Sequence, residues 1–200
     1  MTQLLDGRLA RGARTRAAVI DALLALHEDG DLSPTAQRVA TRAGVSLRSV
    51  YIHFADMEAL YTEAADREFE RMVQRARLVP ADLPLPERLD RFAHGRCTVL
   101  EWLAPVTRAA ALREHASPVL RSSRARFIAS GDDEVRAVFA TELSAARDRE
   151  RLVQLMHLVA SSPAWEALRS DRGLSVRAAE HVVRAGLAAV LQHEGEPPCP

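Results

Sequence analysis

The sequence predicts an all-α protein, and three observations carry that expectation. Apolar residues make up 48% of the chain but aromatics only 4%, so alanine, leucine and valine dominate, a composition that favours helices over sheet. Apolar positions recur at helical spacing in segment after segment, marking one face of each helix. No segment keeps the strict alternation of a half-buried strand, and no 20- to 50-residue repeat is present.

Taken in order, residues 1–10 read as a flexible basic arm. Arms of this kind can enter the minor groove of DNA, although a solvated tail is the plainer reading. Residues Arg11 to Glu28 form a first helix, with Val19, Ile20, Leu23 and Leu24 as its inner stripe and His27 extending it as a structural residue. Asp29-Gly30-Asp31 stops that helix. Ser33 is placed to cap a second, with Pro34 at its first position. Gly44 ends it, because glycine adopts positive φ without steric cost. Val45 then drops into the core, and Ser46 caps a third helix, Leu47 to Phe54.

Asp56 caps a long fourth helix running to about Val79. Pro80, Pro84 and Pro86 mark the strongest break in the chain. Beyond it the spacing predicts helices over Glu87–Leu103, Pro105–Glu114, Pro118–Phe139 (interrupted near Gly131) and Ala145–Ser161. A further segment, Pro163–Ser170, follows a kink capped by Ser162, and the last helix, Val176–Gln192, is capped by Ser175. The tail from residue 195 on reads as disordered. The domain division expected is therefore an arm at 1–10, a three-helix head at 11–56, a larger helical part at 57–194, and a tail at 195–200.

The stretch Ser33–Phe54 carries the functional signal. Two short helices joined at a glycine make a helix-turn-helix, whose second helix enters the DNA major groove. With Val50 pointing inward, 100° per residue turns Arg48 and Ile52 almost straight out, flanked by Ser49 and Tyr51. A long cation, a hydroxyl, a phenol and an apolar group can read base edges and grip phosphates. Arg48 is suited to bidentate pairing with guanine, and Ile52 to a thymine methyl. No acid lies in the stretch, so Arg38 and Arg42 add attraction for a polyanion. The bland alternative is an αα-hairpin with solvated arginines.

The stretch resembles the DNA-binding domain of the tetracycline-repressor (TetR) family of bacterial regulators. The matching residues are Thr35, Val39-Ala40, Ala43-Gly44-Val45-Ser46, Val50-Tyr51, His53-Phe54 and Glu58-Ala59-Leu60, within residues 11–61. The resemblance implies that Thr35, Tyr51 and His53 hold phosphates. It also implies a fourth helix joining the DNA head to a helical ligand-binding and dimerisation domain. Family members often carry a phosphate-neutralising lysine at the position of Met57, and methionine cannot supply that charge.

In the C-terminal part, Leu155, Val159, Val182, Val183, Gly186, Leu187 and Val190 give the last helices more apolar surface than one buried stripe requires. The plain reading is an internal core. The functional one is a homodimer interface built as a four-helix bundle, which would double the contacts on a palindromic operator. Phe92, Trp102, Phe127, Met156 and Trp165, with Arg96 and Arg108 (and Arg121) as polar anchors, are candidates for an apolar effector pocket, although aromatics at helical spacing are more often core. His94, Cys97 and Glu101 share one helix face, with His115 as a conceivable fourth ligand. Their spacing is looser than that of structural zinc sites, so no metal or cofactor is expected.

Whole-chain composition excludes other classes. The 27 basic residues balance 27 acids, so attraction to nucleic acid must be local. Arg8, Arg11, Arg14 and Arg16 face one acid, Asp6, at the N-terminus, whereas Asp56–Glu70 has six acids and one arginine. Lysine is absent, a coding bias that discounts any single arginine. Cys97 and Cys199 make no disulfide framework. No apolar run approaches the roughly 20 residues of a membrane span, and no signal peptide is evident, so a cytoplasmic location is expected. No catalytic motif appears. The resulting expectation is a homodimeric transcriptional repressor, not an enzyme, released from double-stranded DNA by a small-molecule effector. The rivals are a helical protein–protein module without DNA binding and an all-α enzyme using the C-terminal cavity, with His94 and Glu101 as its best groups.

Overall fold

Capping residues and glycines set the helix boundaries. The structure is a computed structural model that describes residues 2–75 and 78–193, with side chains from residue 9 onward. Helix α1 spans Thr2–Glu28, so the residues expected as a flexible arm continue the first helix. Helix α2 spans Ala36–Ala43 and α3 spans Leu47–His53. Thr35, not Ser33, caps α2: its hydroxyl accepts the Arg38 N–H at 3.3 Å. Gly44 ends α2 at φ +67°, the left-handed conformation that glycine reaches at no cost. Ser46 caps α3 through the Ser49 N–H at 3.1 Å. Helix α4 runs Met57–Arg75, capped by Asp56 through the Ala59 N–H at 2.8 Å.

Helix α5 covers Leu85–Ala111 and passes through Pro105, where the sequence predicts two helices. Proline there removes one amide donor but has not broken the helix. Helix α6 covers Pro118–Val138 without the interruption expected at Gly131. Then come α7 (Ala140–Ala145), α8 (Arg149–Val159, capped by Asp148), α9 (Ser162–Glu166, capped by Ser161), a π-helical turn at Ala167–Asp171, and α10 (Val176–His193). Among the described residues there is no strand, and no helix is long and apolar enough to cross a membrane. Cys199 and the tail lie outside the described residues.

The chain divides into two compact units, and the division cuts α4, α5 and α6. Among the described residues, one unit holds 2–71 with 105–124; the other holds 72–75, 78–104 and 125–193. The first is therefore larger than the 11–56 head expected from sequence.

In the first unit, Val19 and Leu23 of α1, Val39 and Ala40 of α2, Val50 of α3, Phe54 and Leu60 are buried together, and Leu120 of α6 joins them. The end of α5 and the start of α6 are tied in by polar contacts. Arg113 donates to the Leu32 carbonyl at 2.8 Å and the Ser33 hydroxyl at 2.6 Å, and stacks over Tyr61 at 4.6 Å. Ser117 caps α6 through the Leu120 N–H at 3.0 Å and hydrogen-bonds Glu58.

His27 lies in this core, 3% exposed and stacked on Tyr61, with no hydrogen-bond partner for either ring nitrogen among the described residues. Burial, aided by the Arg113 charge and opposed by Asp31, lowers its pKa to about 4 from an ordinary 6.5. The folded state thus disfavours a protonated ring that the unfolded chain accepts. The stability it contributes is complete above pH 6.5 and is lost progressively as pH falls towards 4, by up to about 3 kcal/mol. The expected result is that His27→Leu loses much less stability than wild type between pH 7 and pH 5 in denaturant titrations. Parallel losses in the two proteins would contradict it.

In the second unit, Phe92, Cys97, Val135, Phe139, Leu143, Leu152, Met156, Trp165, Val183 and Leu187 form one buried cluster. Phe92 meets Phe139 edge to face at 5.2 Å. A buried guanidinium, Arg88, has all three nitrogens engaged: it donates to the Leu83 and Val138 carbonyls, each at 2.8 Å, and to both oxygens of Glu142. Glu101 accepts from Trp165 Nε1 at 2.9 Å and from Arg169, joining α5 to α9 and the π turn.

Candidate nucleic-acid interface

Helix α3 buries a single residue, Val50, and leaves the rest of its surface available. Phe54, just past its end, is 1% exposed, and Val45 packs against the same core from the turn. These anchors fix which way α3 faces. On its outer side Arg48 and Leu47 are exposed, Tyr51 is 51% exposed and Ile52 is 67% exposed. Ser49 is half-buried, and its hydroxyl lies 2.9 Å from that of Ser46.

The arginines divide into paired and unpaired. Arg38 is bound to Asp31 at 2.7 Å, and Arg42 to Asp29 at 2.7 Å. The two acids of the preceding loop thus offset the two arginines of α2. Sequence reasoning counted charge only within Ser33–Phe54 and missed this. The signal was present, since both acids stand within five residues of the stretch. Arg16 is also engaged, by both oxygens of Glu63, by the His53 carbonyl at 2.5 Å and by the Phe54 ring at 4.7 Å. It clamps α1 to α3 and α4. Arg48 makes no ion pair among the described residues.

Thr35 is exposed at the α2 N-terminus and spends one lone pair on its cap. His53 is half-buried at the end of α3, where its Cε1 lies 3.7 Å from the point a Cβ on Gly12 would occupy. Met57 is half-buried against the head core, which accounts for an apolar residue there.

The residues expected to hold an effector are dispersed. Phe92, Met156 and Trp165 are fully buried in the core of the second unit. Trp102 is half-buried under Arg75, whose guanidinium carbon is 4.3 Å from the ring centre. Phe127 is half-buried, and Arg108 is exposed and belongs to the other unit. Arg121, the further anchor weighed, is exposed there too and donates to the Glu114 and His115 carbonyls. Arg96 is 11% exposed, lies against Gly131, and sits 3.5 Å from Glu134 with Nε and Nη2 lacking hydrogen-bond partners. A Cβ at residue 131 would come within 2.6 Å of Arg96, so this glycine makes room for the guanidinium where the sequence suggested a helix break. A polar surface cleft of about 550 Å³, lined by Asp90, Glu180, His181 and Arg184, contains none of the expected residues.

The set His94, Cys97, Glu101 does not converge. Cys97 is buried, with burial pushing its thiol up to about 12; Glu101 serves Trp165 and Arg169; His94 faces Glu180 at 3.1 Å. No metal-binding cluster occurs among the described residues.

Of the residues expected at a dimer interface, Val183 and Leu187 are buried in the chain's own core, and Val159 and Val190 pack against it. Gly186 lets α10 approach α8, since a Cβ there would stand 2.9 Å from Val159 Cγ1. Leu155 and Val182 are exposed, at 37% and 47%, and Leu158, which sequence reasoning passed over, at 65%. With the exposed Ala185 and Ala189 they leave α8 and α10 an uncharged outer stripe.

Comparison with known proteins agrees with this geometry. Residues 19–64 match the model of the tetR family of bacterial regulatory proteins. Among solved structures, a transcriptional regulator from Rhodococcus sp. Rha1 is 21% identical over 94% of this chain and 99% of its own, with TM-score 0.68. A protein assigned to the TetR family from Mesorhizobium loti is 22% identical over 92% of this chain and 98% of its own, with TM-score 0.69. The multidrug-binding protein EbrR, complexed with imidazole, is 20% identical over 96% and 92%, with TM-score 0.58. At these identities the likeness is one of fold. No curated protein matches the chain. With the family match lying on the helix-turn-helix and the shared fold extending over most of its length, the chain is a DNA-binding transcriptional regulator whose N-terminal domain, residues 19–64, is of the tetR-family type.

Proposed function

We propose that the protein is a cytoplasmic, homodimeric repressor, not an enzyme, that leaves a palindromic operator when a small molecule binds its second unit. The observation that carries this reading is α3 itself: one inward anchor, and an outer face of Arg48, Tyr51 and Ile52 with no acid to oppose DNA. Arg48, Ser49 and Ile52 meet base edges; Thr35, Tyr51 and His53 hold phosphates. Arg38 and Arg42 contribute less than their charge suggests while they remain bound to Asp31 and Asp29.

Pairing through the outer stripe of α8 and α10 brings two recognition helices onto half-sites about one turn apart. A single seven-residue helix reads too few base pairs to specify a site in a genome. We put the effector site near Arg96, whose buried Nε and Nη2 make no hydrogen bond and whose ion-pair partner Glu134 lies 3.5 Å away, an arrangement that a polar ligand or water would complete. Release follows by linkage: a 100-fold loss of operator affinity needs about 2.8 kcal/mol of coupling between effector and DNA.

Sedimentation velocity tests the assembly. The wild type is expected to run as a dimer, and Val182→Glu combined with Leu158→Glu as a monomer with much weaker operator binding. A wild type that sediments as a monomer while still shifting operator DNA would overturn the dimer.

A further inference from the structure

The residues expected as a loose arm belong to α1, and the first unit brings that helix up to the recognition helix. Gly12 lies against His53, and Arg16, one turn on, bonds the His53 carbonyl. Arg11 and Arg14 stand on the same segment, three residues apart and so on one face of the helix. Both are exposed, and neither has an ion-pair partner among the described residues. Their neighbour Arg16 is consumed by Glu63, and Arg38 and Arg42 by Asp31 and Asp29. The one acid in the first twenty residues is Asp6, so charge around the pair is cationic.

Unpaired guanidinium groups held by a helix beside the reading helix are a means of gripping the sugar-phosphate backbone. They are multiply donating and cost no competing ion pair to recruit.

We propose that Arg11 and Arg14 form a phosphate-gripping flank on α1, contacting the backbone beyond the end of α3. The inference rests on the DNA-contacting role of α3 given above. The flank adds affinity without sequence preference, whereas Arg48 adds preference. Each phosphate neutralised releases counterions and contributes about 0.9 to the slope of log affinity against log salt.

The test uses the full chain with two duplexes of equal length, one from the region upstream of its own coding sequence and one of random sequence. Affinities are measured from about 50 to 200 mM salt. The expected result for Arg11→Ala with Arg14→Ala is a slope shallower by about 4 for the dimer, about 2 for each protomer, with a similar affinity loss on both duplexes and unchanged discrimination between them. The charge-keeping exchange, Arg11→Lys with Arg14→Lys, is expected to restore most of the slope, which separates lost charge from a damaged helix. An alanine variant with the wild-type slope would overturn the flank alone. A wild type that binds neither duplex would sink the placement of α3 on DNA, and the flank with it.

Discussion

Replacing Arg48 by alanine is expected to remove most of the protein's preference for its operator over random DNA, at about 1–3 kcal/mol. The size follows from the geometry. Arg48 is exposed on α3, is not held by any acid among the described residues, and is the one long cation on that helix. A bidentate guanidinium–guanine pair discriminates against the wrong base because the alternatives leave donors unpaired. The variant should retain its helix content and melting temperature, since the side chain supports nothing in the core. Competition binding between operator and random duplex measures the effect. Equal discrimination by wild type and Arg48→Ala would place base reading elsewhere on the protein.

The second large effect falls on stability. Phe54→Ala is expected to cost about 3–5 kcal/mol, the range for emptying a buried phenylalanine site. Phe54 is 1% exposed, closes the end of α3 through its own N–H to the Val50 carbonyl at 2.9 Å, and carries the Arg16 guanidinium on its ring. Its loss removes the surface on which α1, α3 and α4 meet. Operator binding should fall with it even though no DNA-facing group has changed. Denaturant unfolding gives the cost directly, and a loss below about 1 kcal/mol would mean that the site collapses or that the packing is misassigned.

Much of the head was legible in the sequence because its signals are local. Gly44 at a left-handed turn, Ser46 and Asp56 as caps, and Val39, Val50 and Phe54 on one inner face all act within a few residues of themselves. The outward direction of Arg48 and Ile52 followed from the inward direction of Val50 by helical geometry alone. What was not legible depends on partners far away in the chain. Nothing near Ser33 announces that its hydroxyl meets Arg113, eighty residues on, or that α2 begins at Ala36 with Thr35 as its cap. Nothing in the run around Pro105 shows that the helix continues through it, or that residues 105–124 fold with the head.

Charge was the least legible property of the site. Arg38, Arg42 and Arg48 look alike in sequence, yet two are held by acids and one is not. The apolar content of α10 likewise did not say which residues face inward. Val183 and Leu187 are core, and Val182 beside them is half exposed. Periodicity gives the face; only packing shows which neighbour covers it.

That α3 reads a specific DNA sequence is tested most directly by nuclease footprinting. The wild-type protein is placed on the DNA upstream of its own coding sequence, in a large excess of random-sequence competitor. Sequence reading by α3 predicts protection of two half-sites related by two-fold symmetry and centred about one helical turn apart, lost in Arg48→Ala. Uniform protection that the competitor abolishes, or a footprint unchanged by Arg48→Ala, would contradict it.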